Sequence, residues 1–146
     1  IDIASSLVGI GKKRDVFIKY IRNNERREVS VKLIPEIAVF NSGLIRQKTG
    51  AILKKITPEL ADALNFDTVD GFVISQVDDG TPAQKAKLQP GLIITTVDEK
   101  KHDDIIDLAR FLHNKKTGDQ VTLNIIQIRQ RGLFVRRSTG KLSLTL

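Results

Sequence analysis

The spacing of apolar residues predicts a chain built mostly of strands, with a few short helices. Period-two alternation predicts strands and is clearest from Glu28 to Leu33 and from Lys141 to Leu146. Apolar residues three and four positions apart predict a helix from Asp103 to about Asn114. The cations and glycine of Lys115–Gly118 suit its C-terminus. The fold class predicted is α+β, with β-structure dominating.

One part of the pattern occurs twice. Residues Ile1–Leu7 align without a gap to Ile106–Leu112, and Asp15–Ile18 to Gln120–Leu123, so a helix, a turn and a strand recur in the same order. Each copy then has a basic hairpin turn, Arg22–Arg26 in the first and Arg129–Gly132 in the second. We expect a tandem repeat whose first copy lacks its N-terminal half and whose second copy is complete.

The second copy contains further strands and capped helices. Pro58 stands at the first position of a predicted helix that Thr57 caps, and Pro82 follows Thr81 in the same way. The predicted elements before the last helix are a strand Ala51–Ile56, a helix Pro58–Leu64, a strand Gly71–Val77, a short helix after Asp78–Ala83, and a strand Leu92–Val97.

The motifs ITPELADAL, GFVISQVDDGTPAQKAKLQPG and DLARFL followed by KTGDQVTL resemble, in this order, the PDZ domains of the HtrA/Deg (Do-like) serine proteases. The resemblance implies a partly open antiparallel β-barrel or sandwich capped by short helices, preceded by a helix and a β-hairpin from a truncated repeat. We expect residues 1–35 to be the C-terminal fragment of a first PDZ domain, 36–47 a linker, and 48–146 a complete PDZ domain.

The resemblance also implies a function in a longer protein. HtrA/Deg proteases carry PDZ domains after a protease domain, so this chain is expected to bind polypeptides and to have no enzymatic activity of its own. The parent protein is expected to be a trypsin-like endopeptidase of the periplasm or cell envelope, acting in protein quality control. Expected partners are polypeptide C-termini or unfolded segments, the parent's own protease domain, and a possible homo-oligomer.

The resemblance assigns candidate binding residues. PDZ domains add a peptide as a strand to a sheet edge and hold its terminal carboxylate on backbone N–H groups of a short loop. The loop position falls on Lys48, Thr49, Gly50 and Ala51. On the strand, the groove is expected to involve Ile52, Leu53 and Lys54, whose side-chain parity the sequence leaves open. On the last helix, we assign one apolar stripe, Ile105, Ala109 and Leu112, to the groove. The neighbouring stripe, Leu108, Phe111 and Lys115, is assigned to the core.

The chain departs from the family pattern at several positions. Lys48 and Thr49 replace apolar residues beside the loop glycine, which puts the depth of the terminal side-chain pocket in question, while Lys48 could attract a carboxylate. The turn residues Leu92, Lys87 and Asp98–Lys100 differ from the usual Asp, Gly and Asn-Gly-Lys, which questions the local turn geometry.

Serine-protease and metal chemistry are not expected. Ser42, within Asn41-Ser42-Gly43, resembles a protease serine loop, but no histidine precedes it as the trypsin-like order requires, so we interpret the segment as a polar turn between domains. His102 and His113 are the two histidines, and with no third ligand nearby we expect them to face solvent rather than bind metal. No cofactor is expected.

Composition leaves three classes of function open. The net charge is +7, but the basic residues are scattered and aromatics are few, so nucleic-acid binding is not expected. No apolar run is long enough for membrane insertion, and the absence of cysteine does not identify a compartment. The main prediction is a peptide-binding module. The alternatives are a structural or oligomer-assembly domain with a vestigial groove, and a basic surface binder.

Overall fold

The computed structural model describes residues 15–63 and 70–146, and the chain divides into two compact units between Val39 and Phe40. In chain order the elements are β1 (Asp15–Arg22), β2 (Glu25–Lys32), α1 (Glu36–Val39), α2 (Ser42–Thr49), β3 (Ala51–Lys55), α3 (Pro58–Ala63), β4 (Phe72–Val77), α4 (Pro82–Lys85), β5 (Ile93–Val97), α5 (Ile105–His113), β6 (Gln120–Arg131) and β7 (Phe134–Thr145).

The described part of the first unit is an antiparallel hairpin of β1 and β2 followed by α1. Asn23 and Asn24 form its two-residue turn, and both have positive φ angles, 54° and 63°. This fits a type I′ turn, whose twist matches that of the strands. Phe17 and Ile21 are largely exposed on β1. The helix predicted at Ile1–Leu7 lies outside the described residues.

The second unit is a five-stranded antiparallel sheet in the order β3-β4-β5-β6-β7. Helices α2 and α5 contribute side chains to its core, where burial of each large apolar side chain contributes about 1.5–3 kcal/mol. The largest fully buried side chains are Ile45, Ile74, Ile93, Leu108, Val121 and Leu144. This mainly β, antiparallel architecture with short helices confirms the predicted fold class.

The segment predicted to be a polar turn and linker contains helices. Asn41 has extended backbone angles and caps α2, since its side-chain oxygen accepts the backbone N–H of Leu44 at 3.2 Å. Ser42 is therefore the first residue of a helix, and Ile45 of that helix is completely buried in the core of the second unit. The interpretation of Asn41-Ser42-Gly43 as an interdomain turn was wrong, because these residues start a helix whose apolar side chain packs on the sheet.

The last hairpin is longer than the sequence pattern predicted. Strand β6 continues through Arg129 and Arg131, and the turn is formed by Gly132 and Leu133, with Gly132 at a φ of 60°. Arg129, Gln130 and Arg131 gave no apolar alternation, because this part of β6 pairs with β7 alone and its side chains are exposed. Within the described residues, no helix has the length and apolar content needed to span a membrane.

Candidate functional site

Strand β3 lies at one edge of the sheet, and its backbone groups alternate in direction. The carbonyl of Gly50 accepts from Asp78 N–H at 2.8 Å, and Ile56 N–H donates to the carbonyl of Gly71 at 3.0 Å, so even-numbered residues point towards β4. In an antiparallel strand the residues between them point the other way. Leu53 and Lys55 therefore present their N–H and C=O groups to the edge on which no described strand pairs.

The side chains of β3 show which parity faces the core. Ala51 and Leu53 are buried, whereas Ile52 is half-buried and Lys54 is exposed. The sequence left this parity open, and the structure places Leu53 on the inner face and Ile52 and Lys54 on the outer face. A bulge opposite Ile52 and Leu53 inserts an extra residue in β4 and leaves the alternation of β3 intact.

An apolar cavity of about 20 Å³ lies beneath this strand and helix α5. Its lining includes Thr49, Ala51 and Leu53 on one side and Leu108 and Leu112 on the other. A cavity of this size holds about one water-sized group. A bulky peptide side chain such as that of phenylalanine would have to widen it.

Helix α5 presents both apolar stripes to the protein interior. It begins after Asp104, whose carboxylate accepts the N–H of Asp107 at 2.8 Å. Leu112, assigned to the groove, and Leu108, assigned to the core, both line the cavity, and both are buried. Ala109 is fully buried and Ile105 is half-buried against the core, and neither lines the cavity. Leu108, Ala109 and Leu112, which come from both stripes, are the buried residues of this helix, and Arg110 and His113 on its other side are exposed.

The residues predicted to form a carboxylate-binding loop are the end of a helix and the start of a strand. Lys48 and Thr49 form the last turn of α2, Gly50 is its left-handed cap with a φ of 79°, and Ala51 begins β3. The N–H of Gly50 donates to the carbonyl of Arg46 at 2.7 Å. The N–H of Ala51 donates to Oγ1 of Thr49 at 3.1 Å, and that hydroxyl donates to the carbonyl of Ile45 at 2.8 Å.

Charged side chains hold the end of α2 in place. Arg46 donates two hydrogen bonds to Asp78, from Nε at 2.7 Å and from Nη2 at 3.0 Å. These bonds lower the pKa of Asp78 and raise the pKa of Arg46 from their ordinary values. Lys48, expected to attract a carboxylate, donates from Nζ to the carbonyl of Lys115 at 2.6 Å, just beyond the end of α5.

Gly50 is required at its position by packing as well as by its backbone angle. A Cβ atom there would lie 2.1 Å from Cβ of Thr81, well inside contact distance. Thr81 is the residue that precedes α4, and its hydroxyl donates to the carbonyl of Asp78 at 2.6 Å. The sequence indicated the need for a glycine but not this second reason for it.

The two histidines differ in environment. His113 is exposed, but the expectation that His102 faces solvent was wrong. His102 is 8% exposed; its Nδ1 lies 2.8 Å from Oδ2 of Asp107, and its ring packs against Phe111. His102 is therefore a buried side chain packed between Asp107 and Phe111. In the described ranges, no group of three or more His, Cys, Asp or Glu residues is arranged to hold a metal ion.

The turns that depart from the family pattern adopt left-handed backbone angles without glycine. Lys87 has a φ of 61°, and Asp98 and Glu99 have φ angles of 48° and 64°. Asp98 is held by Nζ of Lys115 at 2.8 Å and by the N–H of Thr122 at 2.7 Å. Burial opposes ionisation of Asp98, but these bonds outweigh it and lower the pKa of its carboxyl.

An antiparallel sheet whose edge strand follows a glycine and lies beside an amphipathic helix is a PDZ-type fold. The family model described as PDZ domain matches residues 50–131. The chain therefore belongs to the PDZ domain family. PDZ domains are binding modules, in agreement with the prediction that this chain is not itself an enzyme.

The curated relatives agree with the more specific resemblance to HtrA/Deg proteases. The chain is 30% identical over 114 residues to a Chlamydia trachomatis serovar D protein named "Probable periplasmic serine endoprotease DegP-like". A Bartonella henselae protein of the same name is 30% identical over 88 residues. The matches cover 77% and 60% of this chain but only 22% and 17% of those relatives, so the chain spans about a fifth of their length.

Solved structures show the same fold. The HtrA-type protease AlgW, solved with a decapeptide, matches over 92% of this chain and 42% of its own, with a TM-score of 0.57 and 17% identity. The HtrA3 PDZ domain, solved with a phage-derived ligand, matches over 66% of this chain and 81% of its own, with a TM-score of 0.51 and 22% identity.

Proposed function

We propose that the second unit binds extended polypeptide segments by adding them as a strand along the open edge of β3. One observation carries this proposal: Leu53 and Lys55 direct backbone groups to an edge on which no described strand pairs. Unpaired donors and acceptors of an edge strand are a template for a further strand. Family membership and peptide ligands in two structurally similar proteins support it.

The cavity supplies side-chain selectivity in this proposal. A peptide strand places alternate side chains on one face, so one side chain lies over the cavity lined by Ala51, Leu53 and Leu112. Because the cavity is small, we expect alanine or valine to be preferred there over phenylalanine. Capture of a C-terminal carboxylate by Lys48–Ala51, as the family resemblance implies, would require the helix end to release its amides.

We propose that the parent protein has the same compartment and reaction class as the relatives. We place the parent protein in the periplasm, as a serine endopeptidase that uses this unit to present substrate or regulatory polypeptides to its protease domain in protein quality control. A homo-oligomeric parent belongs to the same proposal. The names of the relatives support the compartment and the reaction class.

Binding of N-methylated peptides tests strand addition without altering the protein. A fluorescent heptapeptide rich in alanine and valine is titrated with the full chain, and each of its amides is then methylated singly. Methylation removes a donor, so the affinity falls about fivefold or more at alternate positions and changes little at those between. Equal loss at all positions, or at none, rules out pairing along a strand edge.

The alternative is an assembly domain whose groove is vestigial. The small cavity and the engaged amides at Gly50 and Ala51 are the observations that favour it over peptide binding. Peptide titration and light scattering together distinguish it from peptide binding. Failure to bind any extended peptide in the titration, with concentration-dependent dimerisation of the chain in light scattering, would favour assembly.

A further inference from the structure

We infer that the tip of the hairpin formed by β6 and β7, residues 127–138, is a docking surface for anionic lipid membranes. The tip lies away from the candidate peptide site, because β3 and β7 are the two opposite edge strands of the sheet. Membrane docking is therefore independent of the proposed peptide binding. Three properties of the tip support it: its projection from the sheet, its uncompensated positive charge and its exposed apolar end.

The hairpin tip projects from the sheet as a two-stranded ribbon. Strand β6 pairs with β5 as far as Ile126, and from Gln127 to Arg131 it pairs with β7 alone. All side chains of residues 129–141 are exposed. A two-stranded hairpin is only marginally stable in water, so a partner that covers this ribbon would stabilise it.

The charged residues of the tip are all cations. They are Arg129, Arg131, Arg136 and Arg137, and residues 120–140 contain no Asp or Glu. Arg129 lies directly opposite Arg136 in the strand register, and Arg131, two positions along β6, shares their face. Within the described residues none of these arginines forms an ion pair. Like charges directly opposite one another destabilise a strand pair, so an anionic partner would relieve this repulsion.

The far end of the ribbon is apolar. Leu133, in the turn, is 99% exposed, Phe134 is 83% exposed and Val135 is 56% exposed. Adjacent exposed apolar side chains are unfavourable in water and are typical of a surface that contacts a partner. Arg131 and Arg136 flank this apolar end on the two strands. The partner must therefore be anionic where it meets the arginines and apolar where it meets the turn.

A bilayer with anionic headgroups has this combination. Its phosphate groups accept hydrogen bonds from guanidinium groups, and each arginine near such a surface strengthens binding about fivefold. Leu133 and Phe134 can enter the boundary between headgroups and acyl chains, as apolar side chains of peripheral proteins do. A nucleic acid would leave Leu133 and Val135 in water, since Phe134 is the one aromatic residue of the tip that could stack on a base. The docking is peripheral and requires no membrane-spanning segment.

Cosedimentation of the full chain with vesicles tests the contribution of charge. The chain should bind vesicles of phosphatidylglycerol and phosphatidylcholine, and not vesicles of phosphatidylcholine alone. Replacing Arg129, Arg131 and Arg136 together by glutamine should weaken binding at least about fiftyfold. Urea unfolding should show this variant to be as stable as the unsubstituted chain, because it removes the like-charge pair. The charge-matched control, which should weaken binding less than about threefold, replaces three exposed lysines near the start of β6 by glutamine: Lys100, Lys101 and Lys116.

Insertion of the apolar end has its own readout. The chain has no tryptophan, so Phe134→Trp introduces a single fluorophore at the tip. Its emission should shift to shorter wavelength on anionic vesicles, whereas Lys116→Trp, far from the tip, should show no shift. Leu133→Ser combined with Phe134→Ser, at two exposed positions, should weaken vesicle binding at least about tenfold.

The outcomes decide between a membrane and other anionic partners. Weaker binding in the arginine and serine variants, with the fluorescence shift of Phe134→Trp, supports membrane docking by the tip. Absence of binding to anionic vesicles overturns it, as does equal weakening by the arginine variant and its lysine control, which would reduce the effect to net charge. Binding that survives the serine substitutions without a fluorescence shift, or that is tighter to duplex DNA than to vesicles, also overturns it and assigns the arginines to an acidic protein or a nucleic acid.

Discussion

Gly50 and Thr81 are packed so closely that the space between them holds no methyl group. A Cβ atom at Gly50 would lie 2.1 Å from Cβ and 2.3 Å from Oγ1 of Thr81. This contact joins the end of α2 to the residue before α4, at the position where β3 begins. The geometry of the candidate site therefore depends on a glycine that also determines stability.

Replacing Gly50 by alanine should destabilise the chain strongly. We expect a loss of about 2–5 kcal/mol, the sum of left-handed strain and overpacking against Thr81. Gly80→Ala is the matched control, since Gly80 has a similar φ of 73° but open space around its Cβ position. The free energy of unfolding of this control should fall only by the cost of left-handed strain, about 1–2 kcal/mol. Urea unfolding measures the stability of both variants. Equal losses would contradict the close packing of Gly50 against Thr81.

The Thr49 hydroxyl should contribute more to the stability of the chain than its size suggests. Thr49→Val removes the acceptor of Ala51 N–H and a donor to Ile45, which leaves a buried N–H unpaired. We expect a loss of about 1–3 kcal/mol. Thr49→Ser retains the hydroxyl and should lose less. If valine is tolerated as well as serine in thermal unfolding, the hydroxyl does not hold the start of β3.

Enlarging the cavity should change the preferred peptide side chain. Leu112→Ala removes part of its wall and should cost about 2–5 kcal/mol, while favouring leucine or phenylalanine over alanine in the bound peptide. Ile93→Ala is the control, because Ile93 is fully buried but lies in a different core cluster. It should destabilise similarly without changing the preference. An identical preference in both variants, measured by fluorescence polarisation, would show that the cavity does not receive the peptide.

The Arg46–Asp78 pair should be visible in a pH titration. Arg46 donates two bonds to Asp78, which lower the pKa of its carboxyl below the ordinary value of about 3.9. Because the folded-state pKa is depressed, the pair stabilises the fold above that ordinary value, and this contribution is lost as pH falls through the lower folded value.

NMR of the Asp78 carboxyl carbon measures the effect. In Arg46→Gln the midpoint should rise towards the ordinary value, and in Arg46→Lys, which keeps the charge but not the paired geometry, it should lie between the two. A midpoint that is the same in all three proteins would show that the pair does not form in solution.

Lys87 offers a stabilising substitution. It is exposed and has a φ of 61°, a conformation that costs a residue with a Cβ about 1–2 kcal/mol. Lys87→Gly relieves that strain but adds unfolded-state entropy, so we expect a net gain of about 0.5–1 kcal/mol. Lys85→Gly, within α4, should instead destabilise by about 1 kcal/mol. A rise in Tm for Lys87→Gly with a fall for Lys85→Gly would confirm that the backbone of Lys87 is strained. A fall in Tm for both would contradict it.

Much of the fold was predictable because its signals are local. The helix at Ile105–His113, the helix at Pro58 with its Thr57 cap, and the helix that begins at Pro82 follow from periodicity, capping residues and proline, although Thr81 makes no side-chain cap bond. The motifs that carry the family resemblance depend on the same signals. Their order was enough to indicate a PDZ domain.

The features that were missed depend on contacts between distant segments. Asn41, Ser42 and Gly43 were interpreted as a turn because these residue types form turns, and the family resemblance placed a loop at Lys48–Ala51, whereas the structure has a helix from Ser42 to Thr49. Burial of Ala109 on the last helix, and of His102 against Phe111, is decided by packing that no local pattern records. The engagement of the Gly50 and Ala51 amides could not be predicted for the same reason.

Amide hydrogen exchange along β3 tests strand addition most directly. With the chain saturated by the alanine- and valine-rich heptapeptide, the N–H groups of Leu53 and Lys55 should become protected at least tenfold, because each gains a partner. The N–H groups of Ile52 and Lys54, which point towards β4, should change little. Unchanged exchange at Leu53 and Lys55 in a saturated complex would contradict the account and place the bound peptide elsewhere.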